Sequence, residues 1–288
     1  MRKSYLILLP TFVFLALFTY FPLFRSLRDS FYDFRYTTDQ SKPFVGLKNF
    51  ERLFADDIFW QALLNNIVYI LLTVIPSVVL ALLLAVALNE NKRINRFLRS
   101  IFFMPTLLPL VSAATVWIFI FTPNLGLLDY YLSKIFGNMN NNFLGFSDTA
   151  IYALAFVGVW KFAGYYMLFF LAGLQTIPDY VREAAVMEGA NKYQIFFKVT
   201  LPLLRPTINF VLITAIIYGV TQIDHVVVMT NGGPNHSTSV LLHYIQDLAL
   251  NSHDLGKASA ATFVSLIALF IFSVINLRVL EKGTHYEY

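Results

Sequence analysis

Tyr218, Thr221, Gln222 and His225 stand at spacings of three and four in an otherwise apolar stretch, which places them on one face of a helix. Planar hydrogen-bonding groups beside an aromatic ring are the chemistry that holds a sugar; the same stripe equally suits hydrogen bonds between packed helices. Asp224 falls on another face and reads as a surface or capping carboxylate. Lys161 is the only charged residue between Thr149 and Leu174. A buried ammonium in an apolar helix is costly, so it faces a polar path, pairs structurally, or snorkels to the outer surface. Asn65, with Asn66, Tyr165 and Tyr166, completes the polar groups set inside apolar runs.

No catalytic set accompanies them. His225, His236, His243, His253 and His285 lack metal-ligand spacing and a carboxylate cluster, so no metal site is expected. The chain has no GxxxxGK[ST] loop and is not expected to cradle nucleotide phosphates in the usual way. Without cysteine there is neither a disulfide nor a thiolate to argue from.

The elements that must position these residues are membrane helices. Of 288 residues, 57% are hydrophobic and 13% charged, against about a quarter charged in soluble domains. The expected fold class is all-α, a polytopic membrane protein with six transmembrane helices. These run over 4–24, 67–88, 101–122 (holding Pro105 and Pro109), 149–174, about 206–228 and about 258–277. Residues 1–60 read as a first span plus an outer interfacial segment with a Leu47, Phe50, Leu53, Phe54 stripe. Residues 61–288 read as a core of five spans. Basic residues concentrate in two short loops, Lys92, Arg93, Arg96 and Arg99, then Arg182, Lys192, Lys198 and Arg205. The positive-inside rule therefore puts both loops and both termini in the cytoplasm. The first loop dissents, with six basic residues among six acids that include Asp39. The net charge of +4 fits membrane orientation rather than nucleic acid.

Ile177 to Pro206 is a polar insert between two spans. Pro178 and Asp179 suit a helix start, and helix formers run from Tyr180 to Glu188. Gly189 suits the left-handed residue that ends a helix. Asn191 with Gln194 resembles a capping box that starts a second helix, expected to stop before Pro202. Tyr180, Ala184 and Met187, with Val181 and Ala185 beside them, make a narrow apolar ridge fit for a partner's groove.

Glu183, Ala184 and Ala185, then Gly189, then Val199-x-Leu201-Pro202 resemble the EAA loop of binding-protein-dependent ABC import permeases. Val199 stands where the pattern has Ile, and Glu188 where the sugar branch has Asp. The run Met229-Thr-Asn-Gly-Gly-Pro234, then Thr238, then Gly256-Lys-Ala-Ser-Ala260 is similar to the sugar and glycerol-phosphate branch, specifically the first membrane subunit of maltose-type importers. The maltose subunit itself differs in span number and in its large outer domain. Physically, the outer turn at Gly232, Gly233 and Pro234 is a tight turn.

The resemblance implies a type I ABC importer-like transmembrane domain in a bacterial or archaeal cytoplasmic membrane. It implies a second homologous permease, two nucleotide-binding ATPase subunits and an extracytoplasmic substrate-binding protein. ATP and Mg would belong to the partner subunits, with no cofactor in this chain, and the cargo would be a carbohydrate or polyol. Glu183, Ala184, Ala185, Met187, Glu188, Gly189, Leu201 and Pro202 would form the coupling element. The runner-up cargo is a glycerol-phosphate-like anion. A secondary transporter or channel would want acids within spans or an internal repeat; a membrane enzyme would want a nucleophile, metal set or paired carboxylates.

Overall fold

The computed structural model describes residues 2–35, 42–137 and 141–281. Asp39 of the first loop, His285 and the last residues at the C-terminus lie outside the described residues. The described chain is helical, with two isolated bridges, Tyr32 to Phe44 and Arg35 to Asp254, and no named strand. In chain order the helices are α1 (Arg2–Leu15), α2 (Phe21–Asp29), α3 (Lys48–Phe54), α4 (Asp57–Ala87), α5 (Arg93–Leu107), α6 (Leu110–Phe121), α7 (Leu127–Phe136) and α8 (Ser147–Gln175). They continue as α9 (Asp179–Met187), α10 (Lys192–Ile195), α11 (Leu201–Leu203), α12 (Arg205–Thr221), α13 (Asp224–Met229), α14 (Leu241–Leu250) and α15 (Leu255–Glu281).

Among the described residues, four segments are long and apolar enough to cross a membrane: Leu8–Asp29, Asp57–Ala87, Ser147–Gln175 and Arg205–Met229. The pair α5 and α6 makes a fifth if its 99° bend belongs to one span. At the sixth expected position α15 offers a shorter apolar helix, Leu255–Ile271.

The expected continuous third span is instead two helices meeting at a corner. Leu108 (φ −75°, ψ 137°) and Pro109 (φ −55°, ψ 137°) are both extended. Proline drives its predecessor out of the α region, and here it adopts the same extended form itself. Pro105, by contrast, is absorbed inside α5.

Two other prolines are carried by π turns. Ala16–Tyr20 precedes Pro22 and Phe196–Thr200 precedes Pro202; Phe21 N donates to Ala16 O and Leu201 N to Phe196 O. Each wide turn shifts the ladder just ahead of the ring, so the missing N–H falls in the first turn of a new register. The second helix of the polar insert therefore passes through Pro202 to Leu203 and does not stop before it.

The chain divides into two compact units, one of Met1–Gln61 with Leu241–Phe272, the other built on Ala62–Val240. In the larger unit α8 is the axis. Its most apolar window is 61% buried, against 28% for Asp57–Ala87 and 22% for Arg205–Met229. It packs on α5, α12 and α13. One buried cluster joins Tyr69, Phe121, Leu154, Val157 and Val226; another joins Val78, Tyr166, Met167, Phe170 and Val211. Gly164 makes the α5 contact possible, since a Cβ there would stand 1.8 Å from Phe102 O.

In the smaller unit the first-loop stripe forms α3, with Leu53 buried and Leu47 and Phe54 exposed. Asn49 Nδ2 ties the helix to Ser30 O and Tyr32 O, each at 2.9 Å. Asp56 accepts hydrogen bonds from Lys257 Nζ, Tyr244 Oη (2.7 Å) and Ile58 N (2.9 Å). Arg52 pairs with Asp254 beside it. Burial pushes the Asp56 carboxyl up, but those three donors and the Lys257 charge hold it below its ordinary value. A carboxyl lowered by the folded state contributes stability above its unfolded value and loses it as pH falls through the folded one. Hydrogen exchange in peptides covering 56–60 and 244–257 is therefore expected to rise, beyond the intrinsic rate, on acidification below about pH 4. Asp56→Asn flattens that dependence; an unchanged profile in both proteins refutes it.

Candidate functional site

The polar insert is built by local capping chemistry. Pro178 (ψ 140°) opens α9, and Glu188 closes it. Gly189 follows at φ +83°. Gly189 N donates to Val186 O at 2.9 Å and Ala190 N to Ala185 O at 3.0 Å, the paired bonds of a Schellman end. The next helix starts on a reciprocal cap, with Gln194 N donating to Asn191 Oδ1 (2.9 Å) and Asn191 N to Gln194 Oε1 (2.8 Å). The bend between the two helices is therefore fixed by residues 185–194 themselves.

Val181 and Ala185 turn inward, half-buried, whereas Glu183, Ala184 and Glu188 are exposed. Tyr180 is 70% and Met187 87% exposed. The ridge read from the sequence thus splits, Val181 and Ala185 seating the helix and Tyr180, Ala184 and Met187 facing out. Leu201 and Pro202 are half-buried at the far end of the insert. A groove of about 570 Å³ runs beside α9 between Asp179, Arg182, Glu183, Val186, Met187 and Ile195. Behind it a cavity of about 330 Å³ reaches Asn89, Glu90, Arg182 and Lys192. The Lys92 ammonium, hydrogen-bonded to Glu90, holds that carboxyl below the usual range.

A second cavity, of about 280 Å³, lies where α5, α8 and α12 meet. Thr106, Lys161, Phe162, Tyr165, Tyr218, Gln222 and Asp224 line it. Two members of the expected stripe, Tyr218 and Gln222, are brought to it with Lys161. The other two are not: Thr221 ends α12 on another face, and His225 lies beyond a break of the helix at Gln222 (ψ 97°) and Ile223 before α13. Thr221 is exposed and bonds its own helix at Ile217 O, 2.8 Å away. His225 is fully buried in the core, with its Nε2 2.8 Å from Tyr69 Oη. The same break turns Asp224 into the cavity wall, so its expected orientation away from the stripe is corrected. Thr106 and Asp224 carry no local signal of this role; both reach the wall through breaks in their spans.

Lys161 is 5% exposed, and its Nζ donates to Pro105 O (3.0 Å), Thr106 O (3.2 Å) and Leu108 O. These are carbonyls released where α5 ends at the corner. The ammonium is thus the cap of a half-helix as well as part of the wall. Asn65 lies away from the cavity, its Nδ2 bonding His236 O at 2.8 Å and Ser239 O at 3.0 Å. It anchors the turn at 231–235, where Gly232 takes φ +77° and the Gly233–Pro234 bond is cis. Thr238, fully buried, donates to Gly233 O at 2.7 Å.

Comparison with known proteins gives a concordant result. Residues 77–284 match the description of a binding-protein-dependent transport system inner membrane component. A probable ABC transporter permease protein of Bacillus subtilis is 32% identical, covering 97% of this chain and 96% of its own. A multiple sugar-binding transport system permease protein of Streptococcus mutans is 32% identical over 93% and 91%. The sn-glycerol-3-phosphate transport system permease protein of Yersinia pestis is 30% identical over 98% and 95%. The fold is that of a chain from a bacterial ABC transporter involved in the import of the polysaccharide alginate, with a TM-score of 0.87, 22% identity and coverage of 99% and 96%. Matched over most of its length by the family and nearly end to end by these relatives, the chain belongs to the family of binding-protein-dependent transport system inner membrane components.

Proposed function

We propose that this chain is one of two membrane-spanning subunits of an ATP-driven importer that moves a carbohydrate, delivered by an extracytoplasmic binding protein, into the cytoplasm. The observation that carries the reading is the helix–turn–helix between α8 and α12. It is held rigid by its own caps and presents Tyr180, Glu183 and Met187 to a partner. In this reading α9 docks in a nucleotide-binding subunit, with Glu183, Ala184, Ala185, Met187, Glu188 and Gly189 as its coupling surface, and Leu201 and Pro202 carry its motion to α12. ATP and Mg are held and turned over by two such subunits, and this chain supplies no catalysis. Six spans, α15 forming the last, leave both termini in the cytoplasm.

The cavity at Tyr218 and Gln222 is this subunit's part of the path. It offers hydrogen-bonding groups beside the rings of Phe162, Tyr165 and Tyr218. Gln222→Ala is expected to raise the solute concentration for half-maximal uptake about fivefold to thirtyfold, the equivalent of one lost hydrogen bond at about 1–2 kcal/mol. Thr221→Ala, which removes only a bond within the helix, leaves uptake unchanged. Equal effects from the two variants in transport assays would remove Gln222 from the path.

A phosphorylated solute is the second reading, favoured by the name of the Yersinia relative and by the ammonium of Lys161 in the wall. Against it, the Lys161 donors already serve three carbonyls, and Asp224 adds negative charge.

The test is purification of the tagged chain in mild detergent, followed by ATPase assay with and without the binding protein. Co-purification of a second permease and an ATPase, with turnover stimulated by liganded binding protein, supports the proposal and makes that ligand the cargo. A chain that purifies alone overturns it.

A further inference from the structure

On the side of α8 away from the path lies an apolar groove of about 560 Å³. It is lined by Trp117, Phe121, Leu127, Tyr131, Tyr152 and Phe156 among others. Tyr152 and Phe156 fall about two and a half turns before Lys161 and Tyr166's neighbour Tyr165, on the opposite face of the same helix. The groove's roof is α7, folded back along α6. Gly126 permits that turn, since a Cβ there would meet Ile120 O at 2.3 Å. Asp129 pins the roof, accepting from Asn124 N at 3.0 Å and Asn141 Nδ2 at 2.8 Å.

The chemistry of the lining selects carbon. Thr149 already donates to Phe143 O at 2.8 Å, and the remaining walls are rings and aliphatic side chains. The groove opens on the end of α8 remote from the polar insert, where Tyr131 and Tyr152, each more than half exposed, sit as aromatic residues do at a headgroup boundary. Lys134 lies on the groove-lining face of α7, three residues after Tyr131 and seven after Leu127. It is exposed, has no ion-pair partner among the described residues, and is the only basic residue between Arg99 and Lys161.

We infer that this groove is a site for one anionic phospholipid of the leaflet on that side, its acyl chain under α7 and its phosphate against Lys134. Annular lipid gains nothing hydrophobic by entering, since the bilayer is equally apolar; selection comes from packing against a preformed ring-lined wall and from the Lys134 ammonium. The Asp129 carboxylate is already engaged by Asn124 and Asn141, and the exposed Asp148, beside Thr149, is the opposing charge.

The complex is reconstituted in phosphatidylcholine vesicles holding a small fraction of phosphatidylglycerol with a diazirine on one acyl chain. After irradiation, labelled residues are mapped by mass spectrometry. Labelling of Trp117, Leu127, Tyr152 and Phe156 is expected to exceed that of Leu71, Ile75 and Val79, the exposed face of α4, several-fold. Lys134→Gln and, independently, Leu127→Trp each lower it several-fold. Equal labelling of both faces, or labelling unmoved by both variants, means annular lipid only and overturns the proposal. So does an unlabelled groove, or one that a protein partner covers.

Discussion

Gly189→Pro is expected to reduce uptake to background while the chain still inserts and accumulates in the membrane. Gly189 sits at φ +83° and its N–H closes the end of α9 on Val186 O. Proline is locked near φ −65° and carries no N–H, so both features of the Schellman end are lost, at roughly 3 kcal/mol or more. Nothing lies within 4 Å of a Cβ at this position, so the damage is conformational and confined to the bend. Gly189→Ala keeps the N–H and loses only the left-handed preference, about 1–2 kcal/mol, and is expected to retain partial transport. Glu183→Lys leaves the bend intact and reverses charge on the exposed face of α9. Where a docking surface complements the Glu183 carboxylate, the reversed charge costs several kcal/mol, so that variant is expected to lose both uptake and co-purifying ATPase. Measured by solute uptake, membrane abundance and pull-down, normal uptake in either Gly189→Pro or Glu183→Lys would remove the coupling role.

This loop was legible because its bonds are local. Pro178, Gly189, Asn191 and Gln194 each act within five residues, and all four do in the structure what their chemistry predicts. The helical class followed from long uncharged runs for the same reason. Breaks in helices were harder to place. Pro105, Pro109 and Pro202 are equally visible as letters, yet one sits inside α5, one makes a corner and one follows a π turn. Which outcome a proline takes depends on who satisfies the carbonyls it frees, and that partner can be distant in sequence. The polar stripe failed on the same ground: its helical spacing assumed an unbroken helix through Gln222, and the break sends His225 to Tyr69 and Asp224 to the cavity. Asn65, read as a path residue, bonds a turn some 170 positions later, a contact no local pattern encodes.

Lys161→Met is expected to destabilise the chain and to straighten or disorder the corner between α5 and α6. Its Nζ is the donor for Thr106 O and Leu108 O and, beside Leu108 N, a second donor for Pro105 O, so its loss leaves the first two carbonyls without the partner that the fold gives them. Each carbonyl left bare costs about 1–3 kcal/mol. Methionine preserves the length and apolar stem of the side chain, so the loss isolates the ammonium. Met at 161 would also remove the positive charge from the cavity, so stability and transport must be read separately. A structural cap predicts a lower melting temperature of the detergent-solubilised complex and faster hydrogen exchange over residues 103–112. Lys161→Arg is expected to restore part of both, because a guanidinium can still reach more than one carbonyl. A path-lining cation with no capping role predicts normal melting and exchange, with transport alone impaired. Because Thr106 Oγ1 also donates back to Lys161 O at 3.1 Å, the corner and α8 are tied in both directions. Thr106→Val is accordingly expected to give a smaller loss of stability than Lys161→Met, by the one hydrogen bond it removes.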